Sequence, residues 1–250
     1  MKVVFEDEYL LAINKPAGLV VNRAESVKVD TVQDWMEDYC QSCFDNLEQS
    51  DDSKIFLDRS GIGHRLDKDT SGVMLLAKNP EVLADMMLQF KERRVEKQYK
   101  ALVHGRLSPE KGNVRLPLGR SSYNRHRFEV RMDGKMAETD YEVENYFVPK
   151  DVLKKYKYKD DFTLVNLYPK TGRTHQIRVH MSHLKHAIVG DDLYGGRKRA
   201  KKDANWCKRQ FLHAYKISLA HPTTKERLVV KANLTSDLIQ VLGMLEADEE

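Results

Sequence analysis

The sequence predicts an α+β fold, with a mostly antiparallel sheet and flanking helices. Segments with the alternation of β-strands outnumber the helical segments, and tight turns join several of them as hairpins. Hydrophobic residues make up 41% of the 250-residue chain, which is enough for a packed core and excludes wholesale disorder. No linker, internal repeat or low-complexity tract divides the chain, so we expect a single domain over residues 1–250.

Charge and composition limit the compartment and the partners. Charged residues make up 32% of the chain and the formal net charge is +4, which permits a polyanionic partner without identifying one. The N-terminal segment turns acidic at Glu6, unlike a signal peptide, and no apolar run approaches the length of a membrane span. Three cysteines are too few for a disulfide framework. These features predict a cytoplasmic protein without membrane contact.

Each element follows from a local signal: alternation for strands, a polar cap before an apolar stripe for helices, and Gly, Asp or Ser for turns. In the N-terminal part these signals predict strands at Lys2–Glu6 and Leu10–Asn14, a helix from Asp30 or Thr31 to about Cys43, a loop over Asp51–Gly63, a buried strand at Val73–Lys78 and a helix from Asn79 to about Arg93. In the C-terminal part they predict a strand at Val95–His104, two or three strands within Arg115–Tyr146, a strand at Phe162–Tyr168, a helix from about Thr174, a closing hairpin within Phe211–Lys231 and a helix from Thr235 or Ser236 to about Leu245. The acidic tail, 246–250, is expected to fray.

The most informative stretch of the chain is His64–Gly72, which reads H-R-L-D-K-D-T-S-G. It places Asp67 in a turn that leads into a buried strand. By itself such a residue is a turn carboxylate that caps neighbouring amides. The whole string, however, resembles the catalytic motif H-R-L-D-x-x-T-S-G of the RluA family of pseudouridine synthases, with seven matching positions and no gap.

Further blocks extend the resemblance from Phe5 to Val230. They are the segments Asn14–Val21, Lys97–Gly105, Gly134–Thr139 and Gly172–His180, the last of which reads G-R-T-H-Q-I-R-V-H. Asn22 departs from the family, which usually has His at that position. Because the first block begins close to Met1, we expect a form of the family without the S4 RNA-binding domain.

The resemblance implies an isomerase that converts specific uridines of structured RNA to pseudouridine on a bent sheet with a cleft, the pseudouridine synthase catalytic fold. By the same resemblance Asp67 is catalytic, Arg173 is its ion-pair partner, Tyr99 stacks on the target base and Ile177 lines the pocket. Arg65 fills the space of the flipped uridine or grips the RNA backbone. The reaction leaves net composition unchanged, so no cofactor or nucleotide donor is expected. Whether Asp67 attacks C1′ or removes a ribose proton stays open.

Several residue types have a second interpretation. From its position alone, Tyr99 is a half-buried sheet tyrosine. The four arginines at 120, 125, 127 and 131 face RNA phosphates or form a merely solvated strand. The basic stretch 197–202 is a solvated loop or a phosphate contact, and beside an RNA enzyme's cleft we favour the contact.

Metal and redox chemistry are not expected. Cys40 and Cys43 form a C-x-x-C without a second ligand pair or a thioredoxin-like context, so we interpret them as ordinary helix cysteines. His175, His180 and His183 lie close in sequence, as does His186, but no carboxylate completes an H-E-x-x-H motif. We therefore predict no metal site.

Two functions of other classes compete with the synthase. One is a catalytically inactive RNA-binding module of the same fold, which has no need for a set of Asp67, Tyr99 and Arg173. The other is a metal-dependent RNA hydrolase built on the histidines. Within the favoured function the sequence leaves ribosomal and transfer RNA open as substrates, and we expect a monomer.

Overall fold

The chain folds as two compact units. In this computed structural model the described residues are 1–25, 27–45, 47–154, 156, 158 and 161–248. Unit 1 comprises residues 1–96 and 214–233, and unit 2 comprises 97–213 and 234–250. The prediction of one catalytic domain over 1–250 stays a prediction.

Unit 1 is built on a sheet whose central strand is apolar on both faces. Its strands are β1 (Lys2–Glu6), β2 (Leu10–Lys15), β3 (Ser71–Ala77), β9 (Leu212–Ala220, of which the first two residues belong to unit 2) and β10 (Arg227–Lys231). The strand order is β1-β2-β3-β9, and β10 pairs with β9. The pairs β1–β2, β2–β3 and β9–β10 are antiparallel. Every residue of β3 is buried, as its continuous apolar sequence predicts.

The helices of unit 1 are α1 (Val32–Tyr39), α2 (Asp51–Arg59) and α3 (Pro80–Lys91), with a 3-10 helix at Gln41–Phe44. Helix α3 confirms the predicted Asn79 cap, because the Asn79 side chain accepts a hydrogen bond from the amide of Val82 at 2.9 Å. The loop predicted over Asp51–Gly63 is wrong. Ser50 caps α2 by accepting from the Ser53 amide, and acidic residues follow in the first turn, where they are favourable. A composition that suggested a loop is that of a helix N-terminus.

The three cysteines divide into a bonded pair and a buried thiol. Helix α1 ends at Tyr39, before the pair, and Cys43 lies in the 3-10 helix. Cys40 and Cys43 form a disulfide with Cα atoms 5.4 Å apart, so the interpretation as ordinary helix cysteines is wrong. Cys207 is free and buried, and its burial raises the pKa of the thiol to about 12.

Unit 2 is built on a second run of antiparallel strands. They are β4 (Glu96–His104, of which Glu96 belongs to unit 1), β5 (Lys111–Arg120), β6 (Phe128–Val130), β7 (Lys135–Pro149), β8 (Phe162–Pro169) and β11 (Leu245–Ala247). The order is β4-β8-β7-β5-β6, with β11 on β7, and these pairs are antiparallel. Leu102, Phe162, Met181 and Phe211 are fully buried in one hydrophobic core.

The helices of unit 2 are α4 (Asp151–Lys154), α5 (Gln176–His183), α6 (Arg197–Asp203) and α7 (Ser236–Gly243). Helix α6 occupies the basic stretch for which a solvated loop was one interpretation. The tail expected to fray from Glu246 instead continues as β11 to Ala247, and the Asp248 amide donates to the Tyr146 carbonyl at 2.9 Å. Residues 249–250 lie outside the described residues. The α+β class with a mostly antiparallel sheet is confirmed, while its bend and cleft stay predictions.

Candidate active site

Asp67 lies in a turn whose backbone is fixed on both sides. Leu66 is buried and Asp67 is half-buried. The amide of Thr70 donates to the Asp67 carbonyl at 3.1 Å, and β3 begins at the next residue. Gly72 has a φ of +121°, and a Cβ there would lie 2.3 Å from the carbonyl oxygen of Ala214 on β9. The last position of the motif therefore has to be glycine.

A buried lysine clamps the same turn. The side chain of Lys15 is fully buried, and its Nζ donates to the carbonyls of Pro16, Leu19 and Lys68 at 2.8–2.9 Å. The Gly18 amide also donates to the Lys68 carbonyl, at 2.9 Å. The first sequence block thus holds the residue that follows Asp67. Sequence reasoning assigned this block only a backbone turn and missed the lysine.

His64 anchors the start of the motif. Its Nε2 accepts a hydrogen bond from the Leu75 amide at 2.9 Å, so this nitrogen carries no proton. The imidazole stacks on the Phe90 ring of α3 with centroids 4.7 Å apart. The neighbouring Arg65, predicted to contact RNA, is exposed.

Tyr99 lies on β4 of unit 2, where it is opposite Leu167 of β8. The ring is half-buried and packs against the hydrophobic core of the unit. One side of the ring therefore has apolar support, which suits both a sheet tyrosine and a stacking residue.

Arg173 and Ile177 come from the turn before α5 and from α5 itself. Arg173 is exposed; its amide donates to Gln176 Oε1 at 3.0 Å and its Nε donates to the Met136 carbonyl at 3.3 Å. Ile177 is buried in the core of unit 2. His175 at the N-cap has a φ of +55°, so the helix starts two residues later than the sequence predicts.

A buried ion pair beside these residues was missed. Arg178 and Asp191 are both buried, and the guanidinium donates from Nε and Nη2 to the two carboxylate oxygens at 2.7 and 2.9 Å. Asp191 also accepts from the amides of Leu193 and Tyr194. The signal was present, because Arg178 belongs to the G-R-T-H-Q-I-R-V-H block, but spacing alone does not reveal a bidentate pair.

The five predicted site residues divide between the units. Asp67 and Arg65 lie in unit 1, and Tyr99, Arg173 and Ile177 lie in unit 2. Within unit 2 the last two share one segment, at the start of α5. The ion pair of Asp67 with Arg173 stays a prediction.

The histidines expected to bind no metal make ordinary polar contacts. His180 is fully buried, with Nδ1 3.0 Å from the Thr139 hydroxyl, and burial lowers its pKa to about 4. His175 Nδ1 is 2.9 Å from the Tyr194 hydroxyl, and His186 Nδ1 is 2.8 Å from a backbone carbonyl. Among the described residues no three His, Cys, Asp or Glu side chains are grouped to hold a metal ion. None of the described helices is long and apolar enough to cross a membrane.

Comparison with known proteins decides which chemistry this arrangement serves. A sequence model of the family described as RNA pseudouridylate synthase matches residues 9–183. The chain belongs to this family. The match spans the motif of Asp67, the strand of Tyr99 and the block of Arg173, and the resemblance to the RluA family is confirmed. This synthase is accordingly an isomerase that converts uridine to pseudouridine in RNA.

Relatives that align with nearly the whole of this chain are also named as pseudouridine synthases. The ribosomal large subunit pseudouridine synthase D of Haemophilus influenzae is 34% identical over 257 residues, which cover 99% of this chain and 72% of the relative. An uncharacterized RNA pseudouridine synthase of Bacillus subtilis, YlyB, is 35% identical, covering 98% and 73%. The solved structure of human RNA pseudouridylate synthase domain containing 1 is 26% identical with a TM-score of 0.70, covering 99% of this chain and 88% of the human chain.

Proposed function

We propose that this synthase isomerises uridines of ribosomal RNA and that Asp67 is its catalytic carboxylate. The observation that carries the proposal is the turn itself. Lys15 and Gly18 fix the Lys68 carbonyl, and the close approach of β9 fixes Gly72. So many constraints on one turn suit a side chain whose direction matters. The ribosomal substrate rests on the names of relatives, such as the Haemophilus influenzae protein.

The reaction needs one group that can hold the sugar or the base. The N1–C1′ bond breaks, the base turns, and C5 bonds to C1′. The proton on C5 leaves and N1 gains one, so atoms and electrons balance without an oxidant or a donor. A carboxylate can attack C1′ or remove a ribose proton, and Asp67 can serve in either way.

The other predicted residues hold the nucleotide. The target uridine leaves its stack, and Tyr99 stacks on the base, a contact that contributes about 1–3 kcal/mol. Ile177 gives the pocket an apolar wall. Arg65, exposed beside the catalytic turn, occupies the vacated space or grips the backbone.

Two guanidiniums are candidates to orient the Asp67 carboxylate. Arg173 is the residue that the sequence block indicates. Arg178 is the second candidate because Asp191 fixes the plane of its guanidinium and the side chain is buried, as preorganisation of a charged group requires. Separate lysine substitutions distinguish the two.

Pseudouridine mapping of cellular RNA, with and without the protein, tests the proposed function. We expect one or more uridines of the large ribosomal RNA to lose modification when the protein is removed and to regain it with the unaltered chain. Restoration by Asp67→Asn, or loss confined to transfer RNA, contradicts the proposal.

In vitro assays test the remaining proposals. We expect pseudouridine formation to continue in excess chelator, because the isomerisation requires no metal ion, and this result would dismiss the metal-dependent hydrolase. Loss of turnover in chelator would contradict the expectation. We also propose that the protein acts as a monomer in the cytoplasm. Sedimentation of the active protein and fractionation of cells test these two statements.

A further inference from the structure

The most basic hairpin of unit 2 is residues 115–135, which we name the arginine hairpin. It contains the end of β5, the short strand β6 and the turn into β7. Its 21 residues include six Arg or Lys and two Asp or Glu, an excess of four positive charges. The formal net charge of the whole chain is also +4, so this hairpin concentrates positive charge that is balanced elsewhere.

The loop at one end of the arginine hairpin has a defined conformation. The Ser121 amide donates to the Arg127 carbonyl and the Arg127 amide to the Asn124 carbonyl, both at 2.9 Å. The Asn124 side chain accepts from the His126 amide at 3.0 Å. The Arg120 guanidinium reaches over the loop and donates to the Arg125 carbonyl at 2.6 Å. These bonds hold the loop in one conformation before a ligand binds. Binding therefore costs little conformational entropy of the loop.

The base of the same loop is anchored to the body of unit 2. The Phe128 amide donates to the Tyr194 hydroxyl at 2.8 Å, and the Phe128 ring meets His175 edge-on with centroids 5.9 Å apart. Arg120 covers the Phe128 ring at 5.1 Å. The aromatic residue at the foot of the hairpin is therefore occupied by contacts within unit 2.

Two large apolar side chains at the tip have no such packing. Tyr123 is 98% exposed and Met132 is 94% exposed, the two highest values among the exposed large hydrophobic residues described. The turns that carry them are tied together, because the Arg131 guanidinium donates to the Ser122 hydroxyl and to the Arg120 carbonyl. An aromatic ring so exposed on a preformed loop indicates a surface that is covered by a partner.

The charges around the tip indicate the sign of the partner's charge, which is negative. Arg131 is neutralised by Asp133, with two bonds of 2.8 Å. Arg125 and His126 are exposed, and no described carboxylate pairs with either. A flat π-face beside an uncompensated guanidinium matches a nucleotide, whose base stacks and whose phosphate binds the cation.

We propose that the arginine hairpin binds an unpaired nucleotide of the RNA substrate outside the catalytic pocket. Tyr123 stacks on its base, Arg125 contacts its phosphate, and Met132 covers the ring edge. The inference rests on the proposed function only in requiring an RNA substrate. It adds a specificity contact, since an unpaired nucleotide at this place favours some uridines over others.

Binding of a fluorescent oligouridylate, measured by anisotropy in the catalytically silent Asp67→Asn background, tests the hairpin. We expect Tyr123→Ala to weaken binding about tenfold and Tyr123→Phe to retain it, because stacking needs the ring and not the hydroxyl. Arg125→Gln should lower the slope of log affinity against log salt by about one unit. A fluorescent adenine analogue in the strand should lose its stacking-dependent quenching with Tyr123→Ala.

Tyr39→Ala is the matched control. Tyr39 is exposed too, but its hydroxyl donates to Glu6 and its ring stacks on Trp35, an acidic setting that does not suit RNA, so binding should not change. Unchanged affinity of Tyr123→Ala overturns the hairpin proposal even when pseudouridine forms normally. A change in oligomeric mass instead of RNA affinity also overturns it, in favour of a protein contact. Failure of the unaltered protein to bind any RNA overturns both this proposal and the proposed function.

Discussion

Asp67 in unit 1 and Asp203 in unit 2 are two carboxylates in opposite surroundings. Asp203 is completely buried, and its oxygens accept from the Tyr158 hydroxyl, from His104 Nε2 at 2.9 Å and from the Gly190 amide at 2.9 Å. Asp67 is half-buried, in a turn whose fixed bonds are made by its backbone neighbours.

The difference separates a structural carboxylate from the carboxylate that we propose as catalytic. Burial, and next the hydrogen bond to Asp203, raise the pKa of the Tyr158 phenol, so the phenol stays a donor and the Asp203 oxygens stay occupied. Such a carboxylate stabilises helix α6 but cannot approach a substrate. Hydrogen bonds to backbone carbonyls hold the Asp67 turn, and the Asp67 side chain is partly exposed to solvent. Charge by itself therefore does not distinguish the carboxylate that we propose as catalytic from a structural one.

Asp67→Asn should produce the largest effect and act on activity alone. We expect product formation to fall at least about 1,000-fold, because an amide is neither a nucleophile nor a base. The melting temperature and RNA affinity should stay near those of the unaltered protein. A turnover assay beside thermal denaturation checks both, and near-normal turnover would remove Asp67 from the mechanism.

Asp203→Asn should show the reverse pattern. Three donors converge on this carboxylate, and an amide NH2 in its place would oppose at least one of them. We expect the free energy of unfolding to drop by about 2–4 kcal/mol, a loss of about 5–10 °C in melting temperature. Asp192→Asn, at an exposed position of the same unit, serves as the control and should be neutral. An unaffected melting temperature would contradict the structural role.

Arg173→Lys and Arg178→Lys test which arginine orients the Asp67 carboxylate. An ammonium cannot reproduce a planar, bidentate guanidinium, so the variant of whichever arginine orients Asp67 should lower kcat about 10- to 100-fold. Arg173→Lys should leave stability unchanged, because the side chain is exposed. Arg178→Lys should lower the melting temperature as well, because an ammonium cannot make both of the buried hydrogen bonds to Asp191. Arg115→Lys, also on the surface, is the control, and normal kcat in both variants would contradict the orienting role.

The pH dependence of stability tests the buried His180. Its pKa is about 4 in the folded protein against 6.5 in a free side chain, so the unfolded chain binds the proton more readily. Stability is then complete above about pH 6.5 and is lost as the pH falls towards 4, by about 3 kcal/mol at most. Denaturation over this range should give a flatter profile for His180→Asn than for the unaltered chain. A profile for His180→Asn that matches the unaltered chain would dismiss the assignment.

The smallest effect concerns charge at the surface. Replacing Lys198, Arg199, Lys201 and Lys202 of α6 together by Ala should reduce the salt dependence of RNA binding by about one unit of slope for each lost phosphate contact. The matched control replaces four exposed lysines of unit 1, Lys28, Lys54, Lys91 and Lys231. Equal slopes for the two variants would mean that α6 makes no phosphate contact.

Some elements of the fold can be predicted from the sequence and others cannot, as individual residues show. The Asn79 cap, the strands β1 and β2 and the buried strand β3 follow from local chemistry, and the structure has them where they were predicted. Helix α2 was missed because Ser and Asp occur both in loops and in helix N-termini. The disulfide of Cys40 with Cys43 was missed because the helix expected to run to about Cys43 ends at Tyr39, before both cysteines.

The sequence by itself determined the family, the position of Asp67 and the α+β class, because motif strings and short-range periodicity are properties of neighbouring residues. Only the tertiary structure decided that buried Lys15 binds the Asp67 turn, that Arg178 pairs with Asp191, and that three donors occupy the Asp203 carboxylate. It also decided that the Tyr123 side chain is almost fully exposed to solvent. Burial of a charge and exposure of a ring depend on partners brought together, or left out, by packing, and a linear pattern holds no record of those partners.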